Sequence, residues 1–280
     1  MKFTYQLLTF VSIIFLNSLL GYPGSYRFFP ERNLYIPNFS NPLEAKIETQ
    51  FFTENNNLEL IIGAAKDLFH YQTGWRTVSG FGVEFFNWTR LDRKENFKFP
   101  VLAVDYFFGG YLAFRYNGRR IHWLNRFRVS HISAHLADGS YNIQNSQWNE
   151  RIPFVYSREF VEWNSNIIYK KLRTYFTASY IFHSIPELRS KTITGIGAEA
   201  LITSFHKNSI HLFAGFDLKF QKYFSNKINS NNNFTAGLIF GNLMNSNFRI
   251  AYQYYNGYSL HGEFFMNKDA YSVVSLSLVL

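Results

Sequence analysis

The chain predicts an all-β fold, a transmembrane antiparallel β-barrel of about twelve strands, from three observations. Apolar and polar residues alternate with a period of two through run after run, the pattern of strands whose two faces meet different solvents. The runs are separated by very short links and by longer polar ones, as in barrels with tight turns at one rim and loops at the other. Finally, 32 Phe and 19 Tyr coexist with a slightly negative mean hydropathy. An aromatic chain that is polar on average suits strands that are greasy on one side only. No segment past the N-terminus approaches the 18 unbroken apolar residues of a spanning helix. A soluble exported β-sandwich or calyx is the structural alternative. Its strands would be shorter, and it would not need Tyr and Trp so often near strand ends, where they suit membrane interfaces.

Residues 1–21 predict a secretory signal: Lys2, then a mostly apolar stretch from Leu7 to Leu20. Residues 22–44 hold four of the seven prolines. Proline cannot donate to a ladder, so this stretch predicts an irregular periplasmic lead-in and not a strand. The barrel is expected over 45–280, with runs at 45–54, 57–66, 78–91, 100–116, 119–136, 153–169, 172–183, 193–206, 209–222, 231–242, 247–257 and 269–280. Asn55-Asn56, Asn117-Gly118, Lys170-Lys171, Lys207-Asn208 and Asn245-Ser246 supply turn chemistry between them. In the last run Val274, Leu276, Leu278 and Leu280 share a face opposite Ser275 and Ser277. In 231–242, Phe234, Ala236, Leu238 and Phe240 oppose Thr235, Gly237 and Ile239. In 209–222, Leu212, Ala214, Phe216, Leu218 and Phe220 oppose His211, Asp217 and Lys219. An apolar exterior around a polar interior follows. Links at 117–118, 170–171 and 207–208 are short; those at 67–77, 137–152, 184–192 and 223–230 are longer. Stretches 137–152 and 223–230 are expected as external loops, the second Asn-rich and mobile. An even number of strands puts both ends of the barrel on the periplasmic side.

The densest set of reactive side chains lies in RFRVSHISAHLADGSY, residues 126–141. His131, Ser133 and His135 recur at every second position and form a column on one strand face. Arg126 and Arg128 have the opposite parity and belong to the interior. Without a bulge the column faces lipid near the external rim, just before Asp138-Gly139 breaks the run. A serine hydroxyl becomes a good nucleophile when an imidazole takes its proton. Glu159, on the next strand, is the nearest carboxylate by hairpin register to orient His131. His131 and His135 stand ~13 Å apart on a regular strand, too far to share one ion, so no metal is expected there. Asp105 with Arg115, Arg126 and Arg128 suggests a buried charge ladder, since charges in a water-poor lumen need partners. A second constellation, YYNGYSLHGEFF at 254–265, has turn character at Asn256-Gly257 and Gly262. It offers Tyr255, His261 and Glu263 as polar tips of an interior or rim site, or forms a bent strand pair with glycines at tight spots.

These segments resemble a family of exported bacterial proteins called domain of unknown function 1207. That family carries an Asp-Tyr strand, an Arg-x-Arg strand ending in His-x-Ser-Ser-His-Leu-Gly-Asp, and a later Tyr-Tyr-Asp-Gly-Phe-Ser-Pro-His-Gly-Gln-Phe-Tyr. Here the first signature reads His131-Ile132-Ser133-Ala134-His135-Leu136-Ala137-Asp138, and the second has Asn256, Leu260 and Glu263 at variant positions. The resemblance implies an outer-membrane barrel and no established reaction. More loosely, His131-Ile132-Ser133 is similar to the His-x-Ser strand of outer-membrane phospholipase A and the lipid A deacylases, although Ala134-His135 stands where the phospholipase pattern has Asn-Gly.

The chain has no Cys, which removes disulfides, thiol nucleophiles and thiolate metal sites. Its net charge of +9 favours anionic partners: lipopolysaccharide or phospholipid. The basic residues are scattered among the runs, which argues against nucleic acid. Phosphate loops, HExxH and GxSxG are absent, and no cofactor is implied. The expectation is a barrel in the bacterial outer membrane, freed of its signal, whose column residues hydrogen-bond within the wall or bind a loop. A lipid esterase with Ser133 as nucleophile and His131 as base is the competing activity, and a passive pore the third.

Overall fold

The computed structural model describes residues 24–72, 74–149, 151–188, 190–206, 209–222, 227–241 and 247–279. The expected signal lies outside the described residues, as do residues 223–226 of the stretch expected to be mobile. Fifteen strands are present: β1 Tyr26–Phe28, β2 Ile47–Phe52, β3 Asn57–Gln72, β4 Thr77–Asp92, β5 Val101–Asn117, β6 Ile121–Leu136, β7 Tyr141–Asn142, β8 Gln147–Trp148, β9 Tyr156–Tyr169, β10 Leu172–Ile185, β11 Thr192–Phe205, β12 Ile210–Gln221, β13 Asn229–Gly241, β14 Asn247–Tyr258 and β15 Lys268–Val279. Twelve of them, β2–β6 and β9–β15, pair antiparallel with their neighbours and close into a barrel through β2 and β15. β7 and β8 form a small hairpin inside the 137–155 loop. Closure pairs the strands all round the wall except along β3, where residues 62–68 have no strand partner on the β2 side.

Every expected run is a strand, and the alternation places each face as the pattern demands. Ser275, Thr235, Ile239, His211 and Asp217 are buried toward the lumen, while Val274, Leu276, Phe234 and Phe216 are exposed on the outside. One link differs. The stretch 67–77 is not a long loop: β3 continues to Gln72 and β4 begins at Thr77. Asp67 looks like a loop residue in sequence, but it faces a polar lumen. There it accepts hydrogen bonds from the Leu34 amide at 2.7 Å and the Tyr111 hydroxyl at 2.6 Å. With that correction, all the links of one rim are short and the longer loops gather at the other.

The proline-rich lead-in, which the sequence assigns to the periplasm, runs inside the wall from Leu34 onward, while residues 25–29 are exposed. β1 extends the edge of β3 where β2 has stopped: β2 pairs with Leu58–Ile61, and β1 with Phe69–Tyr71. The chain then crosses the lumen from Leu34 to Ala45, with Leu34, Tyr35, Asn38, Ser40, Asn41 and Glu44 buried. Prolines suit this path, because the segment needs no ladder and the wall satisfies its backbone. Arg173 donates to the Ile36 carbonyl at 3.1 Å and the Pro37 carbonyl at 3.0 Å. The Ser40 amide donates to Glu199 at 2.8 Å, and Asn233 donates to the Ser40 carbonyl at 2.7 Å.

The charge ladder exists with different acids from those expected. Arg126 forks onto Glu44 at 2.8 and 2.9 Å, with Glu84 at 3.5 Å. Arg128 meets Glu162 at 2.8 Å and Glu84 at 3.3 Å. Asp105 is not part of it, and Arg115 sits near the periplasmic rim, donating to Asn117 at 3.0 Å. The reason is topological: Glu44 comes from the lumen-crossing segment, 82 residues away in sequence from Arg126.

Candidate active site

The alternation along β6 sends Arg126, Arg128, Ser130, Ile132 and Ala134 inward, where all are buried. His131, Ser133 and His135 therefore point outward, onto the exterior face of the barrel. Register builds a polar lattice around them. His131 lies between Phe108 on β5 and Glu159 on β9. Ser133, one row nearer the external rim, lies between Tyr106 and Ser157. Glu159 in turn faces His183 on β10.

The carboxylate is the hub. Glu159 Oε1 is 2.6 Å from His131 Nδ1 and accepts a hydrogen bond from the Ser157 hydroxyl at 2.5 Å. Its Oε2 contacts His183 Nδ1. Phe108 packs on the His131 ring, centroids 4.7 Å apart. A carboxylate at Nδ1 fixes the proton on that nitrogen and leaves Nε2 as the acceptor. His131 and Ser133 share a face at a Cα separation of about 6.8 Å, and no described hydrogen bond joins their side chains. Rotation about their side-chain bonds is what would bring hydroxyl and Nε2 together, and such contacts are often long before substrate binds. Val129, Tyr180 and Phe182 surround the cluster with exposed apolar surface.

His183 was not among the sequence candidates. Tyr180 faces out, Ile181 in and Phe182 out, so strict alternation would hide His183 in the lumen. The register slips between Ile181 and His183. This bulge inserts one residue and turns His183 outward onto Glu159, the re-aiming that bulges produce. Its sequence signal was only a histidine near a strand end.

The other candidates are dispersed. His135 is exposed, its ring 6.1 Å from that of Tyr106. Asp138 is exposed and caps its own turn, accepting from the Gly139 amide at 3.0 Å. Among the described residues no group of three or more His, Cys, Asp or Glu side chains is arranged to hold a metal.

The second constellation is split. Asn256-Gly257 lies within β14 and not in a turn. The loop 259–267 then folds back into the lumen through a short 3₁₀ turn, Gly262–Phe264. Gly262 permits the close approach: a Cβ there would stand 2.3 Å from the Tyr156 ring. Tyr255 is buried and stacks on Tyr271 at 5.3 Å. Glu263 is buried, and its carbonyl accepts from Arg151. His261 latches the loop. Its Nδ1 is 2.6 Å from Asp105, its Nε2 is 2.9 Å from Glu59, and the Gly262 amide donates to Asp105 at 2.7 Å.

Burial opposes a charge on His261, and so does Arg90. The carboxylates of Glu59 and Asp105 outweigh them and raise the imidazole from 6.5 to about 9. A raised folded value means that the protonated latch is fully stabilising below the unfolded value near 6.5 and is lost as pH rises through about 9. Hydrogen exchange in 259–267 is therefore expected to quicken between pH 7 and 10 relative to the barrel strands, once corrected for intrinsic rates. His261→Gln should remove that difference in pH response; a loop whose protection ignores pH in the unaltered protein would refute the latch.

Comparisons with known proteins agree with this architecture. Outer membrane phospholipase A from Escherichia coli is similar in structure at a TM-score of 0.54 and 14% identity, covering 86% of this chain and 92% of its own. The β domain of the Bordetella autotransporter BrkA is more distant, at a TM-score of 0.41 and 12% identity, over 84% of this chain and 96% of its own. OmpT, an outer membrane protein of Vibrio cholerae, gives 0.38 and 8%, over 91% and 98%. Among curated proteins no relative matches in sequence. The family model for proteins of unknown function DUF1207 matches residues 78–278, the region that holds the outward column and the His261–Asp105 pair, and the chain belongs to that family.

Proposed function

We propose that this outer-membrane barrel is a lipid acyl hydrolase, with Ser133 as nucleophile, His131 as general base and Glu159 as the carboxylate that holds the imidazole. The observation that carries it is the 2.6 Å contact between Glu159 and His131 Nδ1 on the lipid-facing wall. A carboxylate turned toward lipid is unfavourable unless it does something there, and here a bulge is spent on adding a second imidazole beside it. The substrate class follows from position. An ester at the head-group boundary of phospholipid or lipopolysaccharide approaches this face from outside the barrel.

In the first step Ser133 Oγ forms a bond to the acyl carbon while its proton passes to His131 Nε2. The ester C–O bond then breaks, and the imidazolium returns the proton to the departing alcohol. Water, deprotonated by the same nitrogen, releases the fatty acid. The similar fold of a protein named as a phospholipase supports the reading only at the level of fold. The crossing of the lumen by residues 34–45 weighs against a passive pore.

The test is fatty-acid release from phospholipid and from lipid A in mixed micelles. The unaltered protein should release fatty acid from one of them, and Ser133→Ala should reduce release to background. Conductance steps in a planar bilayer should not replace that activity. Silence on both lipids, or a Ser133→Ala variant as active as its parent, would refute the assignment and leave the cluster as a tie between strands.

A further inference from the structure

The lumen is not filled to its external end. A cavity of about 80 Å³ lies between the lumen-crossing segment and the 259–267 loop. Ile132, Phe160, Ile181 and Ile193, from β6, β9, β10 and β11, make an apolar arc of its wall. Two polar side chains stand out among those of the lining with unmet atoms, which also include Ser259. Gln221 is 4% exposed, and among the described residues neither its amide oxygen nor its amide nitrogen has a hydrogen-bond partner. Leaving such atoms unmet is unfavourable, so an occupant that meets both would be held there.

Arg158 is the second. Among the described residues no carboxylate lies within ion-pair distance of its guanidinium, and its Nε is buried without a partner. Its polar neighbour is Tyr156, whose hydroxyl it hydrogen-bonds and whose ring lies 5.9 Å away. Arg126, Arg128 and Arg173, in contrast, each meet a glutamate. The acids that line the cavity are already committed: Asp217 to Lys219 at 3.0 Å, and Glu162 to Arg128 at 2.8 Å. Of the two cations in the lining, Arg158 is therefore the one with no carboxylate in ion-pair distance among the described residues.

We propose that this cavity binds a small organic carboxylate, with its apolar body on the Ile132–Phe160–Ile181–Ile193 arc, its carboxylate on Arg158, and a polar substituent or bridging water on Gln221. A monoanion matches the single guanidinium that lacks a carboxylate neighbour, which offers carboxylate a planar two-pronged fork. A bare phosphate would need a second cation and would leave the apolar arc uncovered. The site is on the opposite side of the wall from Ser133 and does not depend on the hydrolase reading.

Benzoate is a suitable probe, titrated calorimetrically into the full barrel in non-ionic detergent with empty micelles as blank. One saturable site per chain is expected. Arg158→Gln should weaken binding at least tenfold, and benzamide should bind the unaltered protein at least tenfold more weakly than benzoate. Ser133→Ala should leave the affinity unchanged. If Arg158→Gln fails the heat-dependent gel shift of a folded barrel, Ile193→Trp serves instead: it fills the cavity, keeps the arginine, and should abolish binding. Absence of saturable benzoate binding, equal binding by benzamide or inorganic phosphate, or indifference to both substitutions would overturn the proposal.

Discussion

Glu159→Gln is expected to lower the rate of acyl release by about 10³- to 10⁴-fold, the scale on which a triad carboxylate acts when its loss leaves imidazole in the wrong tautomer. The amide is isosteric and stays within reach of His131 Nδ1. Yet it can donate as well as accept, and in donating it would drive the proton to Nε2, the nitrogen that must take the serine proton. It also withdraws the negative charge that stabilises the imidazolium formed in the first step. The loss should appear in kcat, with KM little changed, because Glu159 meets the imidazole and not the lipid. His183→Ala removes only the flanking imidazole, so a smaller fall is expected from it. A Glu159→Gln variant within threefold of the parent would sink the role given to Glu159, whatever Ser133→Ala does.

Glu44→Ala is expected to destabilise the barrel by about 3–5 kcal/mol, the cost of stranding one member of a buried ion pair. Arg126 is 1% exposed and forks onto Glu44 with both terminal nitrogens. Without that carboxylate its remaining acids stand at 3.5 Å, Glu84, and 3.9 Å, Glu162, and both are shared with Arg128. Glu44 also accepts from the Tyr35 hydroxyl at 3.2 Å and from Asn41 at 3.3 Å. The substitution therefore loosens the lumen-crossing segment as well as the wall. Urea unfolding in lipid vesicles, followed by tryptophan emission, measures the change. The double variant Glu44→Leu with Arg126→Met should recover most of the loss, because removing both charges removes the unpaired one. If Glu44→Ala unfolds at the same urea concentration as its parent, the ion pair does not anchor the segment.

The sequence by itself determined the strands, their two faces and the shared parity of His131, Ser133 and His135; that no bulge turns this column inward was left to the structure. It could do so because alternation is local: each side chain's face follows from its neighbour's, and a period of two survives without knowing what packs against it. Hairpin register, nearly as local, brought Glu159 to His131 across one connection. Only the tertiary structure decided what joins residues far apart in the chain. It showed that 34–45 threads the lumen, that Glu44 and not Asp105 meets Arg126, and that Asp105 holds His261 from 156 residues away. It also decided His183, whose face depends on one inserted residue that inverts parity and leaves no compositional mark. Those features are set by closure of the wall, which fixes which polar groups must find partners inside it, and closure is a property of all twelve strands together.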